Sequence, residues 1–160
     1  MSISHKSVQK VTLNTSKVSK VELSWVGGIL DGEGHIRYAE NLYGGSTTVR
    51  IQVSNTNMGI ITEYCHILNK LGVIYNVYTP KKLSRFGNKK IHVVSLGRLA
   101  MCLAFAKIIL PYIRETNKYA TLQDMINGIE FHLAEYVRTD GRKPNVHLVK
   151  QNTEQLSLAV

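Results

Sequence analysis

Two carboxylates separated by a single glycine, Asp31 and Glu33, end the segment VGGILDGEG at residues 26–34. Carboxylate oxygens are ligands that Mg²⁺ accepts, and a metal ion held beside a phosphodiester polarises it and lowers the pKa of water. The four residues DGEG alone are more typical of a hydrated turn. They are too short for a calcium loop, whose oxygen ligands spread over about 12 residues. Metal-assisted hydrolysis therefore depends on the elements that position the two acids.

The element that must carry these acids is a short helix over residues 21–30. Its apolar residues cover much of one surface, and Ser24, Gly27 and Gly28 form a line of small residues along it. Two adjacent glycines in a helix cost about 1–2 kcal/mol relative to alanine, which a sequence accepts where another backbone comes close. The alternative is a helix that ends at Val26, followed by a turn at residues 31–34.

Downstream, the sequence alternates between strand and helix patterns. It predicts strands at 35–42 and 46–54, a helix at 57–71 stopped by Gly72, strands at 73–79 and 90–96, and helices at 98–109 and 112–137, the last with a weak point at Asn127-Gly128. An opening helix followed by two such ββα units predicts an α+β fold. Its four-stranded antiparallel sheet has helices on one face and leaves the other face open.

Polar residues occupy alternate positions of the first two predicted strands, where they share one sheet face. Such a face most often meets water, but cations beside amide and imidazole groups also suit base edges and phosphates. The residues predicted to bind DNA on this face are His35, Arg37, Asn41, Thr48, Arg50, Gln52, Asn76, Tyr78, Lys90 and His92.

Composition favours a nucleic-acid partner. The chain has 160 residues, 20 Lys+Arg against 11 Asp+Glu and a formal net charge of +9, with cations clustered at residues 1–21 and 81–90. Clustered positive charge is the electrostatic footprint of a phosphate-backbone binder, although it also occurs on ordinary solvated surfaces. The loop cations Lys81, Lys82 and Arg85 are expected to reach phosphates.

The length fits one domain, expected at residues 21–140, between a flexible basic arm at 1–20 and a polar tail at 141–160. Cys65 and Cys102 have no metal-ligand or disulfide spacing and are expected to be buried thiols in a reducing, intracellular compartment. The basic arm also weakly resembles an organellar transit peptide, so a chloroplast, a mitochondrion and a prokaryotic or phage cytoplasm all remain open. The apolar stretch at 99–110 is shorter than the roughly 20 residues of a membrane span.

Residues 25–34 resemble the signature of the LAGLIDADG homing endonucleases, and the αββαββα order over about residues 20–140 matches the core of that family. A single copy of the motif implies the homodimeric branch, with a saddle-shaped DNA-binding sheet face. The resemblance implies that Glu33 binds Mg²⁺, or another divalent cation such as Mn²⁺, with the Gly32 carbonyl as a further ligand. It gives Asp31 a structural capping role. It places the dimer interface at Ser24, Gly27, Gly28 and Asp31.

Weaker matches suggest further residues. Asn55 falls where the family often has a glutamine that orients catalytic water, although it could equally cap the following helix. Lys118 is the candidate for phosphate charge stabilisation, with Arg114 behind it, because Thr116 holds the usual lysine position. A C-terminal group of cations resembles a loop that grips the DNA backbone, or is a fraying tail: Arg138, Arg142 and Lys143.

These features together predict a site-specific homing endonuclease encoded by a mobile intron or intein. It would act as a homodimer on a pseudo-palindromic DNA site and cut both strands across the minor groove with Mg²⁺. The family resemblance further implies that the recognition site is long and that cleavage leaves short 3′ overhangs. The alternative is a non-catalytic nucleic-acid binder of the same fold, such as an intron RNA maturase. Retention of Glu33 favours the nuclease, because non-catalytic members often lose this acid. A basic domain unrelated to nucleic acid would need a neutral open face.

Overall fold

The computed structural model describes residues 11–40, 47–80 and 89–138, with the backbone alone at 135–138. These residues form the α-helices α1 (Lys20–Glu33), α2 (Met58–Leu71), α3 (Leu99–Ile109) and α4 (Thr116–Arg138), and the strands β1 (Gly34–Ala39), β2 (Thr48–Asn55), β3 (Asn76–Tyr78) and β4 (His92–Leu96). This order confirms the predicted α+β fold. Within the described ranges, none of the helices is long and apolar enough to span a bilayer.

The strands form one antiparallel sheet in the order β1-β2-β4-β3. Side chains of β2 and β4 alternate, so that Ile51, Val53, Val94 and Leu96 are buried on one face beneath the helices. That layer continues into apolar residues of all four helices and forms the hydrophobic core. The opposite face of the sheet carries mostly polar side chains, together with the buried Val93 of β4.

Helix α1 begins at a capping box, in which the Ser19 hydroxyl accepts the Glu22 N–H and the Glu22 carboxylate accepts the Ser19 N–H. It continues through Asp31 and Gly32 to Glu33, so the alternative of a helix ending at Val26 with a turn at 31–34 is wrong. The Gly34 N–H donates to the Leu30 carbonyl and opens β1 at once. A Cβ at Gly34 would collide with the Leu30 backbone, which explains the glycine at this junction.

Helix α2 ends as predicted at Gly72, which adopts the left-handed conformation with φ of +76° that glycine tolerates best. The predicted strand at 73–79 is shortened to β3, because the Val73 N–H donates to the Leu68 carbonyl at 2.9 Å and completes the helix end. Val73 itself packs into the core.

Helix α4 begins at Thr116, after a 3₁₀ turn at Leu110–Tyr112, and passes through Gly128 without a break. The predicted weak point is therefore wrong. Gly128 instead provides room for β1, because a Cβ there would collide with the Tyr38 hydroxyl and the Glu40 carboxylate. Burial and the neighbouring Glu40 carboxylate raise the pKa of Tyr38.

Part of the segment predicted as a flexible arm belongs to the domain. Leu13 and Val18 are buried in the core, and the Asn14 N–H donates to the Leu71 carbonyl at 2.9 Å. Two apolar side chains and a backbone hydrogen bond hold this stretch against α2, so the boundary at residue 20 is too late. Residues 1–10, and the predicted tail at 141–160, lie outside the described residues.

The two cysteines are free thiols. Cys102 is fully buried, and burial raises its pKa to about 12, as expected for an unreactive thiol of the core. Cys65 is only half-buried, because it lies at the edge of the inward face of α2 rather than in its centre.

Candidate metal and nucleic-acid site

Glu33 is the last residue of α1, and its side chain is exposed. Within the described part of the chain, no hydrogen bond or ion pair of the structure engages its carboxylate. Gly34 pairs with Val53 across β1 and β2, which places the end of β2, including Asn55, beside the end of α1. Glu33 and Asn55 therefore lie at one corner of the fold, where α1 enters the sheet.

Asp31 lies two residues before Glu33, and its carboxylate binds the start of α4. Its two oxygens accept the backbone N–H groups of Arg114 and Glu115 at 2.9 and 3.1 Å. An anion at a helix N-terminus satisfies otherwise unpaired donors and favours the helix dipole. Asp31 thus caps a helix of its own chain.

Lys118 reaches the same corner from the first turns of α4. Its ammonium donates to the carbonyls of Leu30 and Asp31 at 2.9 and 2.5 Å, at the C-terminal end of α1. Arg114 directs one guanidinium N–H to the Pro111 carbonyl at 3.1 Å and is otherwise exposed. The structure therefore places the Lys118 ammonium at the last turn of α1, which ends at Glu33, and bonds it to backbone carbonyls.

Asn55 ends β2 on the side of Val53, the helix-covered side of the sheet. Its side-chain oxygen accepts the Asn57 N–H at 2.7 Å, and Asn57 in turn caps α2. Asn55 therefore shapes the turn that precedes α2 rather than capping the helix itself. The other end of its amide is a donor that this bond leaves available.

The described residues of one chain do not form a metal site by themselves. Among the described residues, no group of three or more His, Cys, Asp or Glu side chains lies close enough to hold a metal ion. The corner supplies a single exposed carboxylate and the exposed Gly32 backbone beside it. Mg²⁺ is commonly held by one or two carboxylates together with substrate phosphates, so these donors suit a site that phosphate completes.

The two central glycines of α1 face different surroundings. A Cβ at Gly27 would lie 2.5 Å from the Tyr112 carbonyl oxygen, so Gly27 is buried against the 3₁₀ turn of its own chain. The Cβ side of Gly27 thus faces its own chain and not the outer surface of α1, so Gly27 does not belong to the exposed part of the predicted interface. A Cβ at Gly28 would meet no described atom within 4 Å. The outer side of α1 carries one stripe of exposed residues spaced three or four positions apart: Val21, Ser24, Gly28 and Gly32.

The open sheet face holds most of the predicted polar residues in register. His35 pairs with Gln52, Arg37 with Arg50, and Ala39 with Thr48, and each strand alternates these with buried or half-buried residues of the other face. Asn76 and Tyr78 extend the face on β3 through their partners Ser95 and Val93. Ser54 and Ser95 share this face but were not among the predicted DNA contacts. Gln52 donates to the Ser54 hydroxyl at 3.3 Å.

His92 does not belong to the open face. It pairs with Asn55, two positions from the Val53–Val94 pair, so its side chain lies on the helix-covered side of the sheet. Its Nδ1 is 3.0 Å from the Thr79 hydroxyl. The predicted place of His92 on the open face was wrong. The face that a β4 side chain occupies depends on the register between β4 and β2, which the sequence does not show. Lys90 is exposed two residues before β4.

Other predicted DNA contacts lie outside the described residues: Asn41, Lys81, Lys82, Arg85, Arg142 and Lys143. Arg138 is the last residue of α4, where the structure describes the backbone alone.

Sequence comparison gives little. No family model matches the chain. An uncharacterized protein of Methanocaldococcus jannaschii is 36% identical over 62 residues, which are 39% of this chain and 23% of that protein. The match thus spans less than a quarter of the length of that relative.

Comparison of structures is more informative. The homing endonuclease I-CvuI, in complex with a DNA target in the presence of Mg and with the DNA not cleaved, aligns over 90% of this chain and 98% of its own, with a TM-score of 0.52 and 16% identity. The group I intron-encoded homing endonuclease I-CeuI, complexed with DNA, aligns over 77% of this chain and 60% of its own, with a TM-score of 0.55 and 10% identity.

A third solved structure, the homing endonuclease I-TnaI, aligns over 83% of this chain and 96% of its own, with a TM-score of 0.50 and 13% identity. At these identities the likeness concerns the fold, which is the one that the resemblance of residues 25–34 predicts. The chain therefore has the fold of the homing endonucleases.

Proposed function

We propose that this chain is a LAGLIDADG homing endonuclease that acts as a homodimer and hydrolyses both strands of a specific DNA site with Mg²⁺ or Mn²⁺. The observation that carries the proposal is the exposed Glu33 carboxylate, which no described residue engages, at the end of a firmly held helix and beside an open basic sheet face. The likeness to endonucleases that were solved on DNA supports it.

The end of α1 is suited to a cation. Glu33 supplies a carboxylate and Gly32 a backbone carbonyl, while the helix dipole adds partial negative charge at this terminus. Bound by these donors, Mg²⁺ would supply polarisation of the scissile phosphate and a water of lowered pKa. Asn55, at the end of β2, has an amide donor with which to orient a water molecule at the same corner. Phosphate oxygens of DNA complete the ligand set that one chain lacks.

A homodimer follows from the number of carboxylates. The described residues of one chain supply one such acid at the end of α1, and cutting a duplex requires attack on two phosphodiesters. The exposed stripe of α1 carries the small residues Ser24, Gly28 and Gly32, so it lets a second copy of α1 approach closely. A twofold axis along this stripe brings two Glu33 side chains together and presents identical sheets to a pseudo-palindromic site.

The open sheet face is proposed to bind the major groove. Arg37 and Arg50 face each other directly across β1 and β2, and like charges in this position destabilise the free protein. Acceptors on DNA, such as guanine O6 and N7 or phosphate oxygens, relieve this repulsion. If ~6 phosphates per chain are contacted, the logarithm of DNA affinity should fall with the logarithm of salt concentration with a slope of about −10 for the dimer.

The test is selection from a randomised duplex pool. The full chain is incubated with the pool in Mg²⁺, and in parallel in Ca²⁺ to recover bound DNA, and both the cleaved and the bound sequences are read. We expect cut sites that are long, pseudo-palindromic and end in short 3′ overhangs. Specific binding without cleavage in Mg²⁺ or Mn²⁺ would contradict the nuclease and support a non-catalytic binder such as an intron RNA maturase.

The dimer has its own test. Gly28→Leu places a bulky side chain on the exposed stripe, where no described atom lies within reach of a Cβ. We expect the variant to fold normally and to sediment as a monomer where the wild-type chain sediments as a dimer. A dimeric, active Gly28→Leu variant would show that the interface lies elsewhere.

A further inference from the structure

The ammonium of Lys118 is bonded to two carbonyls of another helix. It donates to Leu30 and Asp31 near the C-terminus of α1, and it is partly buried there. The Leu30 carbonyl also accepts the Gly34 N–H, whereas helix geometry leaves the Asp31 carbonyl without an intrahelical partner. Lys118 therefore satisfies a backbone acceptor one residue before Gly32.

The charge of Lys118 is needed at this place. The last turn of α1 has no basic residue of its own, although Asp31 and Glu33 both belong to it. Two acids at the negative end of a helix dipole repel one another and the terminal carbonyls. Lys118 supplies from α4 the cation that α1 lacks.

A second interaction joins the same two helix ends, and here a side chain of α1 binds the backbone of α4. Asp31 accepts N–H groups of Arg114 and Glu115 at the start of α4. Glu115 in turn accepts the backbone N–H of Lys118 at 2.7 Å. Each helix end is thus held by a side chain of the other, and the backbone between Leu30 and Gly32 is fixed from both sides.

We propose that Lys118 is a positioning residue, which fixes the last turn of α1 and through it the Gly32 carbonyl and the Glu33 carboxylate for divalent-metal binding. This inference rests on the proposed endonuclease function. It differs from the role expected on sequence grounds, in which the ammonium contacts the scissile phosphate. A lysine whose donors are directed to two carbonyls acts on the metal site through the backbone. Loss of such supporting groups typically lowers metal affinity or activity by about 10–100-fold.

The experiment compares Lys118→Met with Lys118→Arg and with the control Lys107→Met, which removes a cation from α3 that is paired with Glu130. Hydrogen exchange at the Gly34 amide of the free chain reports the last turn of α1. Mn²⁺ binding to the chain–DNA complex, followed by electron paramagnetic resonance, reports the metal site. The salt dependence of DNA affinity counts phosphate contacts.

We expect Lys118→Met to accelerate exchange at Gly34 and to weaken Mn²⁺ binding by about 10–100-fold, with the salt slope unchanged. Lys118→Arg should recover part of both losses, and Lys107→Met should match the wild-type chain. Unchanged exchange and Mn²⁺ affinity, with a salt slope reduced by about 1 for each chain and so by about 2 for the dimer, would overturn the inference and indicate a phosphate contact.

Two further outcomes keep the tests separate. If Lys118→Met does not fold, Lys118→Gln, which keeps a donor without the charge, should shift both measurements in the same direction by less, and wild-type values would overturn the inference. If the wild-type chain neither binds nor cuts DNA, the proposed function fails. Unchanged Gly34 exchange in the variant overturns the positioning role whether or not cleavage occurs.

Discussion

The two ends of α1 each carry a glutamate, and the two residues are treated in opposite ways. At the N-terminus, Glu22 accepts the backbone N–H of Ser19 at 2.8 Å and the ammonium of Lys70 at 2.5 Å. The hydrogen bond from Lys70, followed by those from Ser19, lowers the pKa of Glu22 to about 2. This carboxylate has its partners within the chain and ties α1 to α2.

At the C-terminus, Glu33 is exposed, and the interactions of this helix end involve neighbouring residues and backbone carbonyls instead of the Glu33 carboxylate. Asp31 caps α4, and Lys118 binds the Leu30 and Asp31 carbonyls, so the backbone beneath Glu33 is held while its carboxylate remains available. The difference shows that the two glutamates of one helix have different roles. A carboxylate that has its hydrogen-bond partners within the chain stabilises the fold, and an exposed carboxylate on a fixed backbone can bind a ligand. Substitutions at the two ends of α1 and in its middle test this difference.

Glu33→Gln should reduce DNA cleavage in Mg²⁺ by at least about 10³-fold, because metal catalysis supplies several kcal/mol of transition-state stabilisation. DNA affinity should stay within about tenfold, because a single carboxylate contributes little to phosphate binding. Single-turnover cleavage and equilibrium binding measure the two quantities. Glu63→Gln, an equal change of charge at an exposed position of α2, is the matched control. Near-wild-type turnover by Glu33→Gln would dismiss its metal role.

Asp31→Ala should lower the free energy of unfolding by about 2–3 kcal/mol, because two backbone donors at the start of α4 lose a charged acceptor. Urea denaturation of the free chain measures this loss. Asp31→Asn should lose less, since one amide oxygen remains. If Asp31→Ala is as stable as the wild-type chain, the hydrogen bonds between Asp31 and the start of α4 do not hold these two helix ends together.

Between the two ends, Gly27→Ala and Gly28→Ala form a matched pair. A Cβ at Gly27 meets the Tyr112 backbone, so overpacking should cost about 1–3 kcal/mol. In the monomeric chain, where no second copy covers the exposed stripe, Gly28→Ala has open space and should stabilise the helix by up to about 1 kcal/mol. Thermal unfolding of the two variants measures the contrast. Equal effects would show that α1 does not lie against Tyr112.

Glu22→Gln should change how the free energy of unfolding depends on pH at acid pH. A carboxylate whose pKa falls from 4.5 to about 2 on folding contributes stability that is present above pH 4.5 and is lost as pH falls toward 2. The gap in unfolding free energy between the wild-type chain and Glu22→Gln should therefore shrink over this range. Urea titrations at a series of pH values measure it. A gap independent of pH would mean that Lys70 and Ser19 do not favour the charged form.

The sequence predicts those features that depend on neighbours along the chain. The period of the apolar residues, the stop at Gly72 and the alternation in β1 and β2 are local, and the structure confirms them. The placement of Glu33 at the end of a helix also follows from its own segment once α1 is recognised as continuous.

What the sequence could not predict depends on contacts between distant segments. The bond between Asp31 and the Arg114 N–H joins residues 83 positions apart, and Gly27 is small because of Tyr112. The side on which His92 lies is set by its pairing with Asn55, not by its own segment. The carbonyl bonds of Lys118 likewise require that α4 begin beside α1. Each of these is a property of the packed fold.

The most direct test of the central claim is cleavage by a mixed dimer. One wild-type chain and one Glu33→Gln chain, carrying different affinity tags, are co-expressed, purified through both tags and incubated with a selected duplex in Mg²⁺. If each Glu33 serves one strand, the mixed dimer should nick a single strand at about the wild-type rate and leave the other intact. Cleavage of both strands at the wild-type rate would contradict the claim that paired Glu33 carboxylates perform the reaction.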